Sequence, residues 1–572
     1  MSIHNTDIAR IFKEVADLLE IKGENQFRVR AYRNAARTME SLSHEAIELI
    51  KDKQDLTSIP GIGKDLAEKI RTIVESGSLP LHDRLHEELP RELIKLLAVE
   101  SLGPKKVSAL YNKLGIDSLE ALSKAAESGK IRQLSGFGVK SEQKILDDLK
   151  RPKEGAGRIK LADAEEFAEP LRDYLSDIKE VNKATVAGSY RRHKETVGDL
   201  DILVTCQDGP SVMDKFTVHE DVARILSRGE TRSSVILRSG LQVDLRVVPE
   251  KSYGAALHYF TGSKAHNIAI RKIAIDQGLK VNEYGIFKGN SQVAGATEEE
   301  FYQKIGISYI EPELREGRGE IEAAAENNLP QLIRLTDIKG DLHSHSKATD
   351  GRNTLKEMAE AARELGYEYL AITDHSQRVT VAGGLDEKRL RQEMEEIDRL
   401  NENIQGITLL KGIEVDILKD GSLDLADSVL RELDIVVGSV HSYFNLPSEK
   451  QTERLIRAMD NRNFNILGHP TGRMIGTRNP YDVDLEKVMR EAAKRGVHLE
   501  LNAQPDRLDL SDIHVKTAGE LGVLIAISTD AHLSQNLHYM RFGVYQARRG
   551  WLEADNVLNS RSLAELRKLL KR

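Results

Sequence analysis

At 572 residues, with 40% hydrophobic and 30% charged side chains, the chain is too long for one core and has the composition of a globular protein of two to four domains. No apolar run reaches the length of a membrane span, the first residues lack a signal-peptide core, and the single cysteine, Cys206, excludes an intrachain disulfide and fits a reducing cytoplasm. The net charge of −8 argues against bulk electrostatic capture of nucleic acid, but it is uneven: residues 1–160 carry 28 Lys and Arg against 25 Asp and Glu.

Residues 1–150 read as an all-α region of short helices joined by turns. "NTDIARIFKEVADLLEI" and "FRVRAYRNAARTMESL" repeat apolar residues at helical spacing. Three related punctuations follow: "LTSIPGIGKDLAEKI", "VESLGPKKVSALYNKLGI" and "IRQLSGFGVKSEQKIL". Each joins an apolar residue to a tight glycine turn and a lysine-bearing helix start, the pattern of a helix-hairpin-helix. Gly61 and Gly63, Gly103, and Gly136 and Gly138 mark these turns. Glycine there lets another backbone come close, and the amides opening the next helix point at an anion such as a DNA phosphate. "RPKEGAGR" (151–158) reads as a hinge.

Strands dominate residues 151–315. In "GDLDILV", Asp199 and Asp201 alternate on one face of a strand, and "LQVDLRVV" offers Asp244 on another. Converging carboxylates repel one another unless divalent cations neutralise them, and two such cations can activate an attacking hydroxyl and stabilise a departing pyrophosphate. "GSYRR" lies just upstream: Gly188 allows close approach, and Ser189 and Arg192 can grip a triphosphate. Residues 316–335, within an acidic stretch beginning at 311, read as a linker.

From 336 to 572 seven apolar runs alternate with amphipathic helical segments, which predicts a parallel barrel. Functional side chains of such barrels gather at the carboxyl ends of the strands. His343 and His345 close the first run, Asp374 and His375 the second, Glu414 the third, His441 the fourth, His469 the fifth, and Asp530 with His532 the last. Only the sixth, "VHLELNA", ends without such a residue. Histidines converging on one end point to a metal centre. His498 and His514 lie off this pattern and read as structural.

The motifs "GSYRRHKETVGDLDILV", "VDLRVV", "YFTGSKAHN" and "NEYG" resemble the family X DNA polymerases, the group that includes polymerase beta, over residues 1 to about 315. The resemblance implies a nucleotidyltransferase palm with a thumb-like subdomain, and Mg²⁺ at Asp199, Asp201 and Asp244, with Asp244 orienting the primer hydroxyl. It further implies that Arg158, Ser189, Arg192 and Gly198 hold the triphosphate of a dNTP. Tyr259, Phe260, Gly262 and Asn267 would contact its sugar and base, and Arg271 would check the template pair. Lys69 falls where some relatives carry a Schiff-base lysine, with Tyr32 and Arg28 near the positions of a 5′-phosphate pocket. Asp65, however, stands where those relatives have a pocket lysine, so a lyase and a plain phosphate-facing lysine stay open.

The run-end residues resemble the polymerase and histidinol phosphatase (PHP) domain family, a distorted seven-stranded barrel. Its metal positions match His343, His345, Asp350, His375, Glu414, His441, His469, Asp530 and His532. Such a set suits Zn²⁺, Mn²⁺ or Fe²⁺ and implies phosphodiester hydrolysis. The combined expectation is a cytoplasmic, monomeric gap-filling polymerase acting on gapped or primer-template DNA, with 3′-5′ exonuclease or abasic-site activity in base excision repair. Alternatives are a barrel that only holds structural metal, or a small-molecule phosphatase fused to a nucleotidyltransferase.

Overall fold

The computed structural model describes residues 3, 5–42, 46–90, 92–97, 99, 101–150 and 157–571. The chain divides into two compact units, residues 1–156 and 157–572, and most of the expected hinge, 151–156, lies outside the described residues. No described helix is long and apolar enough to cross a membrane.

The first unit is helical. Asn5–Ile21 packs along Gln26–Ser41, and each of the three expected glycine turns leads into a helix: Lys64–Ser76, Pro104–Leu114 and Val139–Lys150. Gly61 and Gly136 adopt φ of +84° and +91°, which a side chain would strain. Gly63, Gly103 and Gly138 are different: their φ is ordinary, and an added Cβ would meet nothing within 4 Å. Internal packing does not demand glycine there; Gly63 and Gly103 stand at helix N-caps, and the missing side chains leave room for close approach from outside.

In the second unit a five-stranded sheet runs in the order Val181–Val186, Asp199–Cys206, Gln242–Val247, Arg232–Leu237, Val222–Arg228. Helix Leu161–Ser176 covers it through Leu161, Ala164, Ala168 and Leu171. Tyr253–Thr261 and Lys264–Asp276 follow, with a small antiparallel sheet of Lys280–Asn282, Gly285–Lys288 and Ser291–Ala294.

Residues 316–335, expected as a linker, are partly folded. They contain helix Glu320–Ala325, and the fully buried Glu320 accepts from His266 at 2.8 Å. Leu332 joins the core beneath the small sheet and Ile333 the core of the barrel. Glu316 accepts from Arg192 Nε and Arg549 Nη1, both at 3.0 Å, whereas Glu322 and Glu326 are exposed.

Seven parallel strands then run in sequence order from Gly340–Asp341 to Ile525–Ser528. A bridge between Ser344 and Ala531, and hydrogen bonds from Thr529 to the Asp341 carboxylate, link the last strand to the first, so the barrel is nearly closed. It is fastened to the palm by Leu508 and Phe542, which join the palm's apolar core, and by ion pairs of Arg473 with Glu195 (2.7 Å) and Arg541 with Glu165 (2.6 Å).

Candidate active sites

The palm strands Asp199–Cys206 and Gln242–Val247 are parallel, with Asp201 directly opposite Asp244 and Asp199 opposite Gln242. Side-chain alternation puts all three carboxylates on one face. Asp244 is buried and accepts hydrogen bonds from Ser234 Oγ and from Gln242 Nε2 (3.2 Å), with Arg232 at 3.6 Å. Removal from water, then the charges of Asp199 and Asp244, push the Asp201 carboxyl up to about 7. A donor set of three crowded carboxylates fits divalent cations such as Mg²⁺, which when bound would neutralise this repulsion and activate the attacking hydroxyl.

Several of the expected nucleotide-binding residues lie beside this face or contact one another. Gly188, at φ +66°, opens the four-residue helix Gly188–Arg191 that carries Ser189, and an added Cβ would lie 3.1 Å from Asp201 Oδ2. Arg158 runs beside Gly198, its Nε donating to Thr196 Oγ1 at 2.8 Å. Arg192 donates to the Thr261 carbonyl and lies against Gly262, and Asn267 Nδ2 donates to the Tyr259 carbonyl at 2.7 Å. Arg246 stacks over Phe260 at 4.3 Å. Arg271 stands exposed one helical turn beyond Asn267.

Lys69 is placed differently from a free amine. Its Nζ is ion-paired with Asp65 and sits 5.8 Å over the ring of the buried Tyr32.

In the barrel all nine expected metal positions converge at the carboxyl ends of the strands. Glu414 sits at the centre. Its Oε2 lies 2.7 Å from His375 Nδ1, 3.6 Å from His343 Nε2 and 3.8 Å from His345 Nε2, and its Oε1 3.0 Å from His469 and 3.2 Å from His441. Asp530 Oδ1 is 3.0 Å from His345 and 3.6 Å from His532, and Asp350 Oδ2 reaches His375 (3.5 Å) and His532 (3.4 Å). These form overlapping sets, His343–His345–Asp530, His375–Glu414–His441 and His345–Asp350–His375–His532. His469 and Asp530 hold φ of +26° and +51°, the sparsely populated backbone that collects at functional sites.

The set fits a metal cluster on two observations. His343 Nε2 is buried with no hydrogen-bond partner and aimed at the carboxylates, while its Nδ1 is fixed 2.7 Å from Glu500. Burial opposes charge on His375 and His441, yet Glu414 with Asp350 or Asp416 raises them to about 10 and about 9. Carboxylates this strong draw protons where cations would otherwise sit. Bound Zn²⁺, Mn²⁺ or Fe²⁺ would supply a water of lowered pKa and clamp a phosphodiester.

Several functional residues escaped the sequence. The sixth strand, His498–Asn502, supplies no ligand but gives Glu500, which orients His343 and accepts from the His469 amide at 2.6 Å. Asp416 faces His441 Nδ1 at 3.2 Å. Alternation within those buried strands was the only signal. Asp374 is not a ligand: it accepts from the Ser346 amide (2.9 Å) and hydroxyl (2.6 Å), bracing the first loop.

Comparison with known proteins matches the domains that carry the two sites. Models described as DNA polymerase beta palm and thumb match residues 158–273 and 256–316, helix-hairpin-helix models match 3–79 and 93–151, and a PHP domain model matches 341–504. A Bacillus subtilis (strain 168) protein named DNA polymerase/3′-5′ exonuclease PolX is 41% identical over 574 residues, covering 100% of both chains. DNA polymerase lambda of Rattus norvegicus is 26% identical over 344 residues, 55% of this chain and 56% of its own. A probable phosphatase of Thermoanaerobacter sp. (strain X514) is 30% identical over 243 residues, 40% of this chain and 94% of its own. With palm, thumb and barrel all accounted for, the chain belongs to the family X DNA polymerases, in the bacterial group that joins a polymerase beta-like core to a PHP domain.

Proposed function

We propose that the chain fills short gaps in DNA by template-directed addition of dNTPs at Asp199, Asp201 and Asp244, and removes nucleotides from 3′ ends in the barrel. The observation that carries this is the presence of two separate cation-ready clusters, one of carboxylates and one of imidazoles and carboxylates, on a chain whose head presents three helix-hairpin-helix turns. Mg²⁺ suits the first cluster and Mn²⁺, Zn²⁺ or Fe²⁺ the second. The relative named a polymerase and 3′-5′ exonuclease supports the pairing. A cytoplasmic role in base excision repair, cleaning and then filling damaged ends, is the use this combination serves; cleavage at abasic sites would draw on the same barrel. The Lys69–Asp65 pair gives a lyase no support.

A gapped, 5′-phosphorylated duplex with labelled primer tests the proposal, with and without dNTPs, in Mg²⁺ or Mn²⁺. Asp201→Ala is expected to abolish extension and keep DNA binding and 3′ degradation, and Glu414→Ala the reverse. Loss of both activities in either variant, with the fold intact, would refute two independent sites. Turnover of histidinol phosphate without oligonucleotide cleavage would assign the barrel to small-molecule chemistry, and bound metal without hydrolysis of either would make it structural.

A further inference from the structure

Far from both sites in sequence, helix Pro80–Glu88 in the amino-terminal unit places His82 and His86 one turn apart on one face. That face packs against Asn5–Ile21, where Glu14 projects toward it. The three polar ends meet: His82 Nε2 is 2.8 Å and His86 Nε2 3.6 Å from Glu14 Oε2, and the two Nε2 atoms are 3.1 Å apart. The other carboxylate oxygen, Oε1, faces Arg10 at 3.6 Å, which leaves Oε2 free for the imidazoles. Side-chain exposures of 15%, 16% and 26% put the cluster just below the surface, shielded but reachable.

Protons alone satisfy this arrangement poorly. Two imidazole nitrogens facing each other can share one proton at most, and a second would set two N–H groups head to head. One divalent ion at the centre serves all three donors together. In a tetrahedral site with bonds of about 2.0–2.1 Å, neighbouring ligand atoms lie about 3.3 Å apart. The observed edges of 2.8, 3.1 and 3.6 Å bracket that length. Two nitrogens and one oxygen favour a first-row transition ion over Mg²⁺ or Ca²⁺.

We propose that Glu14, His82 and His86 bind a divalent transition metal, zinc foremost, with water completing the tetrahedron. The site has a structural consequence. Residues 80–88 fall between the two matched helix-hairpin-helix modules, 3–79 and 93–151, and a metal there would pin the connecting helix to the first helix of the head. It would fix the spacing at which successive hairpins meet a DNA backbone. This centre is separate from the barrel cluster and shares no residue with it.

The test uses the full chain, stripped with chelator and reloaded with Zn²⁺. After desalting, elemental analysis is expected to find one equivalent less zinc in the His82→Ala/His86→Ala double variant than in wild type, with the barrel's share retained. Because removing two half-buried rings can unfold the head, a second measurement needs no variant. Diethyl pyrocarbonate labelling of wild type, read by mass spectrometry, should slow about tenfold at His82 and His86 when free Zn²⁺ is about ten times its dissociation constant. EDTA should reverse the protection and Mg²⁺ should give none. Equal zinc content in a folded variant, or unprotected His82 and His86 in zinc-loaded wild type, would overturn the proposal.

Discussion

Gly188→Ala would place a methyl group where the palm has room for none. The residue sits at φ +66°, where an L side chain costs about 1–2 kcal/mol. The new Cβ would lie 3.1 Å from Asp201 Oδ2, against about 3.4 Å for an ordinary carbon–oxygen contact, so the carboxylate must retreat by about 0.3 Å. That exceeds the tolerance of about 0.2 Å for a metal ligand. Taking about a hundredfold in rate per ångström of misplacement, extension should slow about fourfold as a floor, and further if an ion is lost. The thermal midpoint should fall by only about 2–8 °C. Single-turnover extension of a gapped duplex in Mg²⁺ measures the effect, and 3′ degradation by the same preparation in Mn²⁺ provides the control and should be unchanged. Extension within about twofold of wild type at saturating Mg²⁺, in a folded protein, would refute the claim that this glycine keeps Asp201 in place.

Three further outcomes follow from the same geometry. Glu500→Gln, which weakens the hold on His343 Nδ1 and the His469 amide, should cost about 10–100-fold in barrel metal affinity or exonuclease rate and leave extension alone, as metal titration and end-labelled degradation would reveal. Arg549→Met removes a buried cation bound to Glu316 (3.0 Å), Asp512 (2.6 Å) and the Arg192 carbonyl (2.7 Å). It should destabilise the chain by about 3–5 kcal/mol and, because Glu316 also holds Arg192, raise the KM for dNTP about tenfold; an unchanged KM would disconnect Arg192 from the barrel. Acid should open this junction. Burial works to raise Glu313 and Glu316, but His193 and Arg548 for the first, and Arg549 and Arg192 for the second, hold both down to about 2. Because the folded values are depressed, the stabilisation is complete above about pH 4.5 and is lost as pH falls toward 2, on the order of 3 kcal/mol for each group. Thermal midpoints measured against pH should drop steeply in that window, and less so in Glu316→Gln.

What the sequence disclosed was whatever depends on neighbours along the chain. Glycine turns followed by lysine-bearing helix starts located the hairpins, two-residue alternation paired Asp199 with Asp201, and histidines at the ends of apolar runs marked the barrel mouth. What it withheld depends on partners brought in from a distance. Glu500 looks like an acid on an ordinary strand until folding sets it beside His343, 157 residues earlier. Glu316 looks solvated because its cations, Arg192 and Arg549, stand 124 and 233 residues away. His82 and His86 show helical spacing on their own, but the carboxylate that gives them meaning comes from 68 residues upstream of His82.

The barrel's attachment to the palm has a kinetic meaning. Arg549, Glu316 and Asp512 form a buried ionic lock, and Leu508 and Phe542 are embedded in the palm's own core, so a hinge between palm and barrel would have to strip charges and apolar surface at once. If the chain builds and erases as proposed, transfer between the two sites would therefore fall to the nucleic acid, by release and recapture of the primer terminus and not by a swing of the barrel.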